Sequence, residues 1–223
     1  MEMKIDTSIK QVIPSFKVGM IHYRGISVDE SPQMLKGRLR LYQEKIYFDL
    51  ETKKVTDVEG IKEWRELFKK IGTDPSRYRP SHEAIFRRIQ KQQYLQTIHS
   101  AVDLNNFFSL QYEIPFGIYD ADQLTGDITL QIGDEGLEYE ALNGRIVNMH
   151  HKLVTCDTTG PFGSPIVDSK RTAVQLSTKN AVQIIYLRPS MQIEEATKMI
   201  NSISNMFTQI HGGEANYEII TCN

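Results

Sequence analysis

Cysteine is scarce in this chain of 223 residues: Cys156 and Cys222 are the only two, they lie far apart, and no CxxC spacing joins them. That excludes a disulfide-dense secreted scaffold and argues against a zinc site. Long apolar runs are also missing. No window of about 18 apolar residues exists, so no membrane span is expected. The opening MEMKIDTSIK has no apolar stretch of signal-peptide length, and a cytoplasmic protein is the simplest expectation. Charge of one sign is lacking too: the formal net charge is -2, which does not announce a nucleic-acid partner. The sequence contains no phosphate-binding P-loop, dinucleotide fingerprint, nucleophile elbow or HExxH pair. His150-His151 does not replace them. Adjacent residues in a strand point to opposite faces, so no metal site is expected, and no cofactor is implied.

What is present is ordinary in amount, with 40% hydrophobic and 24% charged residues. That is enough to build one large domain or two small ones without disulfides. The charge is unevenly placed. Between Lys62 and Lys91 there are nine Lys and Arg against four Asp and Glu. Such a face is either a solvated helix surface or the footprint of a phosphate backbone. Arg77, Arg79, Arg87 and Arg88 are its candidate contacts.

Residues 12–24 alternate as a strand, with Phe16, Val18, Met20 and His22 on one face. Ser31-Pro32 opens a helix with Leu35, Leu39, Tyr42 and Ile46 inward. A second helix is predicted from Asp57 to Ile71, ended by Gly72, and a third is capped by Ser81. From Thr125 the period changes to two. Strands are predicted near 128–132, 137–141, 145–149, 152–156, 172–177 and 181–187, with turns at the glycines between them. Pro189-Ser190 precedes a last helix that ends at His211-Gly212-Gly213, and a strand from about Tyr217 to Cys222 closes the chain. Helices crowd the first half and strands the second, so the class is α+β.

The most informative stretch is AVDLNNFFSLQYEIPFGIYD, residues 101–120. Val102, Leu104, Phe107, Phe108 and Leu110 recur at helical spacing. Pro115 then stops the helix, and Gly117 allows a sharp turn or a close approach. Polar residues in such a helix must be bonded to the protein or to a ligand. Asn105, Asn106 and Ser109 are therefore candidates. Asp120 either accepts from a ligand or caps a turn. Arg171, in the DSKR run, either binds an anion with its planar fork or is a surface charge. Cys156, among apolar neighbours, is expected to be an inert thiol.

WRELFKKIGTDPSRYRPSHEAIFRR, VDLNNFFSLQYEIPFGIYDADQLTGDITLQIG, LVTCD and STKNAVQI occur in one order. Together they resemble the tRNA-editing (B-three/B-four) domain of the bacterial phenylalanyl-tRNA synthetase beta subunit, and more closely the free-standing proteins built on that module. The resemblance covers roughly 61–187. It implies a three-layer α+β domain around an unusual β-sandwich, with residues 61–223 as the module and 1–60 as a strand-helix extension packed on it in one compact unit. It implies a tRNA partner and hydrolysis of an aminoacyl ester, an activity that needs placement of water more than a strong nucleophile. The alternatives are RNA binding without turnover, or a small-ligand binder on the same fold. Asn106 and Asp120 match the family pattern. Asn105 falls on a threonine of the synthetase. Gly117 falls on a pocket histidine, in a P-x-H-A-F-D version of the turn, and Ile184 falls on a glutamate that reads a tyrosine hydroxyl. The synthetase's Gly-rich segment is replaced near Asp168–Arg171, and Arg171 resembles an arginine of the free-standing proteins. The pocket implied comprises Asn105, Asn106, Ser109, Gly117, Asp120, Arg171 and Ile184, without the two groups that would select tyrosine.

Overall fold

The computed structural model describes residues 1–222. In chain order the elements are β1 (Met3–Ile5), α1 (Thr7–Val12), β2 (Lys17–Arg24), α2 (Gln33–Asp49), α3 (Glu59–Lys70), α4 (Ser81–Gln90), α5 (Ser100–Tyr112), β3 (Phe116–Asp120), β4 (Ile128–Ile132), β5 (Glu138–Glu140), β6 (Ile146–Asn148), β7 (Leu153–Asp157), β8 (Gly160–Gly163), β9 (Asn180–Tyr186), α6 (Ile193–His211) and β10 (Glu214–Thr221). They form two four-stranded sheets, ordered β10-β2-β9-β3 and β1-β4-β7-β8, and a small β5-β6 ribbon. The first sheet is antiparallel throughout. In the second only the β1–β4 pair is parallel.

Strand alternation explains the layering. In the first sheet Tyr23 stacks on Phe207 of α6 at 3.9 Å, and Gln183 reaches Asn105 of α5. On the other face Tyr119 meets Phe162 of β8 edge-on at 4.8 Å, and the Tyr186 hydroxyl bonds Thr155 of β7. The order is therefore helices, sheet, sheet, and the α+β sandwich expected from the resemblance is what forms. Most of the buried apolar side chains belong to one core running through these layers.

Residues 1–60 are woven into both sheets rather than laid against them. β1 pairs with β4, and β2 separates β9 from β10. Without β2 the first sheet would be split between β10 and β9. The predicted strand over 12–24 begins only at Lys17, because the short α1, capped by the Asp6 carboxylate accepting from the Ser8 N–H (2.8 Å), runs to Val12 and a turn closed by the Phe16 N–H on the Ile13 carbonyl (3.0 Å) takes up the next residues. The strand predicted at 172–177 does not form. Turn bonds at both ends, Ala173 N–H to Lys170 and Thr178 N–H to Gln175, fold it into a loop with a single bridge from Ala173 to Tyr119. His150 and His151 also depart from expectation. They lie at a turn where His151 has φ 55°, so their rings face each other at 3.8 Å instead of pointing apart. Cys156 is half-buried and burial pushes its thiol up to about 11, so it stays protonated. No helix among the described residues is long and apolar enough to cross a membrane.

Candidate functional site

Helix α5 organises the site. It buries Asp103, Asn105 and Ser109 together with Leu104, Phe107, Phe108 and Leu110. Each buried polar group is used. Asp103 accepts from the Ser31 hydroxyl (2.5 Å) and the Ile98 N–H (2.9 Å), which fastens the starts of α2 and α5. Asn105 accepts from Gln183 Nε2 (2.9 Å) and donates to the Phe116 carbonyl (3.4 Å), tying α5 to β9 and β3. Ser109 donates to the Ile114 carbonyl (2.7 Å) across the helix end. Asn106 differs: it is half-buried, and its side chain makes no hydrogen bond among the described residues.

Asn105, Asn106 and Ser109 line one cleft of about 390 Å³, enclosed by α5, β3, the start of α4 and the loop carrying Ile166 to Val174. Its walls are mostly apolar, with Ile85, Val102, Phe116, Ile118, Val167 and Val174 prominent, and no Lys or Arg lines it. His99 closes one side. Its Nδ1 accepts from the Val102 N–H (3.4 Å), so Nε2 donates to the Val174 carbonyl (3.2 Å).

The remaining polar group is Asp168. Its Oδ1 accepts from the Tyr119 hydroxyl at 2.6 Å. Tyr119 is wedged between two glycines: a Cβ on Gly117 would lie 2.5 Å from its Cζ, and one on Gly163 would lie 2.6 Å from it. Burial is the main influence on Asp168. It raises the carboxyl to about 7, against the Tyr119 and Ser164 hydrogen bonds, which pull it down. The unfolded chain gives up this proton first. The stabilisation is therefore complete below about pH 4 and lost as pH rises through 7. Asp168→Asn keeps an acceptor for Tyr119 and removes the charge. Three units at about 1.36 kcal/mol each, halved for the residue's partial exposure, make the variant about 2 kcal/mol more stable than the parent at pH 8. Denaturant melts at pH 4 and pH 8 check this; an equal difference at both would contradict it.

Beyond Ile166 lies a shallow trough of about 450 Å³ that includes Arg79, Arg87, Arg88 and Lys91, and Ile166 forms part of both walls. Arg87 is partly committed, since its Nε donates to the fully buried Glu83 (2.8 Å), which also accepts from Arg65 (2.9 Å). Arg79, Arg88 and Lys91 are exposed and carry no ion pair among the described residues. Arg77 stands outside the trough, its guanidinium 5.3 Å from the Tyr78 ring centroid.

The other sequence candidates do not reach the cleft. Gly117 and Ile184 pair across β3 and β9 with their side-chain positions in the layer between the sheets, where Tyr119 fills the space. Asp120 caps the following turn, accepting from the Asp122 N–H (3.0 Å) and the Thr178 hydroxyl (2.6 Å). Arg171 forks onto Asp157 with both terminal nitrogens (3.1 and 2.9 Å), clamping the β7–β8 turn. Asp168 and His99 were not singled out from the sequence. The one available signal was Tyr119, a hydroxyl where the P-x-H-A-F-D pattern carries phenylalanine, two residues after a glycine that replaces histidine.

The fold is an α+β module: a two-sheet sandwich with a helix-roofed apolar cleft that opens beside a cationic trough. Residues 63–211 match the model of the B3/4 domain, and the chain belongs to that family. It is 33% identical over 213 residues to the uncharacterized protein YhzB of Bacillus subtilis (strain 168), covering 96% of each chain. It is 27% identical over 113 residues to the phenylalanine–tRNA ligase beta subunit of Bartonella henselae, a match spanning 50% of this chain and 14% of that subunit. Among solved structures, an N-terminal fragment of the phenylalanyl-tRNA synthetase beta subunit from Pyrococcus horikoshii aligns with 96% of this chain and 50% of its own, at 14% identity and a TM-score of 0.48.

Proposed function

We propose that this protein binds the acylated end of a tRNA and hydrolyses the aminoacyl ester in trans. The observation that carries the reading is the junction at Ile166, where an apolar cleft adjoins a cationic trough in which Arg79, Arg88 and Lys91 carry no ion pair among the described residues and only Arg87 is paired, with Glu83. A phosphate backbone suits the trough, and an acyl group carried by its terminal ribose suits the cleft. Membership of the B3/4 family, shared with a region of the synthetase beta subunit, agrees with an RNA partner.

The chemistry asks for little beyond placement. A water oxygen bonds to the ester carbon, the bond to the ribose oxygen breaks, and the water's proton passes to that oxygen. Holding ester and water together lowers the barrier by removing the entropy of encounter. Asn106, with a free amide, is the available donor to the developing oxyanion. Asn105 and Ser109 shape the wall, their own hydrogen bonds being internal. Arg79, Arg87 and Arg88 hold phosphates, with Arg77 at the margin. Gly117, Asp120, Arg171 and Ile184 support the frame.

The test is a panel of aminoacyl-tRNAs presented to the protein. Hydrolysis of at least one ester at ten times the spontaneous rate or more is expected, and no acceleration with any of them would sink the reading. The second reading, RNA binding without turnover, is favoured by one observation: the buried polar groups of α5 are already spent on the protein. It gives salt-dependent tRNA retention and no hydrolysis.

A further inference from the structure

The polar capacity of the cleft can be accounted for group by group. Ser109 gives its proton to Ile114, Asn105 is shared between Gln183 and Phe116, and His99 spans Val102 and Val174. Two groups retain capacity: the Asn106 amide, and the Asp168 carboxylate, which is held by the Tyr119 hydroxyl at Oδ1 and by the Ser164 backbone N–H. Neither donor is a cation, and Asp168 forms no ion pair among the described residues. A carboxylate set against apolar walls without a positive partner is costly to keep ionised. Burial raises its carboxyl to about 7. Ligand anions fit poorly here, because no Lys or Arg lines the cleft to meet them. The space, about 390 Å³, lies at the small end of the usual range for ligand sites, roughly 300–1,000 Å³.

We propose that Asp168 is the specificity determinant of the cleft, accepting the α-ammonium of an aminoacyl group whose aliphatic side chain packs among Ile85, Ile118, Val167 and Val174, while Asn106 faces the acyl carbonyl. The inference rests on the reading of the cleft as an acyl-ester site and adds the substrate class. A charge-assisted hydrogen bond from the ammonium to Asp168 supplies the cation that the carboxylate lacks. A second phenol has no unused partner in this account beyond the two groups already assigned, so tyrosine is disfavoured relative to valine, isoleucine or leucine.

The experiment uses the intact protein and a valyl-adenosine in which a stable amide replaces the ester, with its N-acetylated counterpart as control. Calorimetry or methyl NMR reads the affinities. The free-amine ligand is expected to bind at least tenfold more tightly than the N-acetyl form. This arm needs no variant, so it does not depend on how any variant folds. Asp168→Asn is expected to abolish the tenfold preference. Equal binding of the two ligands by the parent protein, failure of the free-amine ligand to bind, or a preference retained in Asp168→Asn would each overturn the proposal. The two levels separate cleanly. Amine-dependent binding without hydrolysis of any aminoacyl-tRNA would leave the specificity assignment standing and remove the deacylase reading. Hydrolysis indifferent to N-acetylation would do the reverse.

Discussion

Gly117→Ala is expected to destabilise this protein by more than about 3 kcal/mol, above the usual range for overpacking a core. The added Cβ would fall against the Tyr119 ring, 2.5 Å from Cζ, and the ring has little room to retreat because its other side packs so close to the Gly163 backbone that a Cβ there would lie 2.6 Å from Cζ. Tyr119 is fully buried, edge-on to Phe162 and bonded to Asp168, so it has no free rotamer to escape into. The partner is checked by a double-variant cycle. Tyr119→Ala alone loses about 3–5 kcal/mol through the cavity it leaves. In that background Gly117→Ala should cost almost nothing, giving a coupling of about 3 kcal/mol. Additive losses in chemical denaturation would mean that the ring is not what excludes the side chain. Gly117→His, which restores the residue of the resembled synthetase pattern, is expected to fail for the same reason.

Reversing charge along the trough should have the largest effect on binding. In Arg79→Glu/Arg88→Glu/Lys91→Glu all three sites are exposed and free of ion pairs, so the fold should tolerate the change. Each lost phosphate contact removes about 0.7–0.9 from the slope of log affinity against log salt. The triple variant is therefore expected to bind tRNA on the order of 100-fold more weakly near 0.15 M salt, with a slope shallower by about 2. Its affinity for the amide-linked valyl-adenosine should be unchanged, because the cleft holds none of these residues. Filter binding over a salt series checks both. Unchanged tRNA affinity would make the trough an ordinary solvated helix face.

The fold was legible where periodicity and turn chemistry agree. β4, β7, β9 and the long helices lie close to their expected positions, since apolar alternation and the 3.6-residue stripe fix which face is buried. What escaped was short or decided by tertiary contacts. α1 is six residues long and stands on the Asp6 cap. The 172–177 segment has strand composition, yet its own turn bonds and the adjoining cleft hold it as a loop. The site was half legible. Asn105, Asn106 and Ser109 were found because polar residues on a buried helix demand an explanation. Arg171 and Asp120 drew notice for their chemistry, and both proved to be spent on structural partners, Asp157 and Thr178. Asp168 lay in a loop whose charges resemble any surface run. Only the three-dimensional structure pairs it with Tyr119, distant in sequence, and sets it in the lining of the cleft.

The most direct test of the central claim is a methyl NMR footprint with a non-hydrolysable valyl-minihelix RNA. The account predicts simultaneous shifts at Ile85, Ile118, Val167 and Val174 in the cleft and at Ile166, which joins cleft to trough, with both sets saturating at one ligand concentration. Shifts confined to the trough side, with the cleft methyls unmoved, would contradict the claim that this cleft receives the acylated end of an RNA.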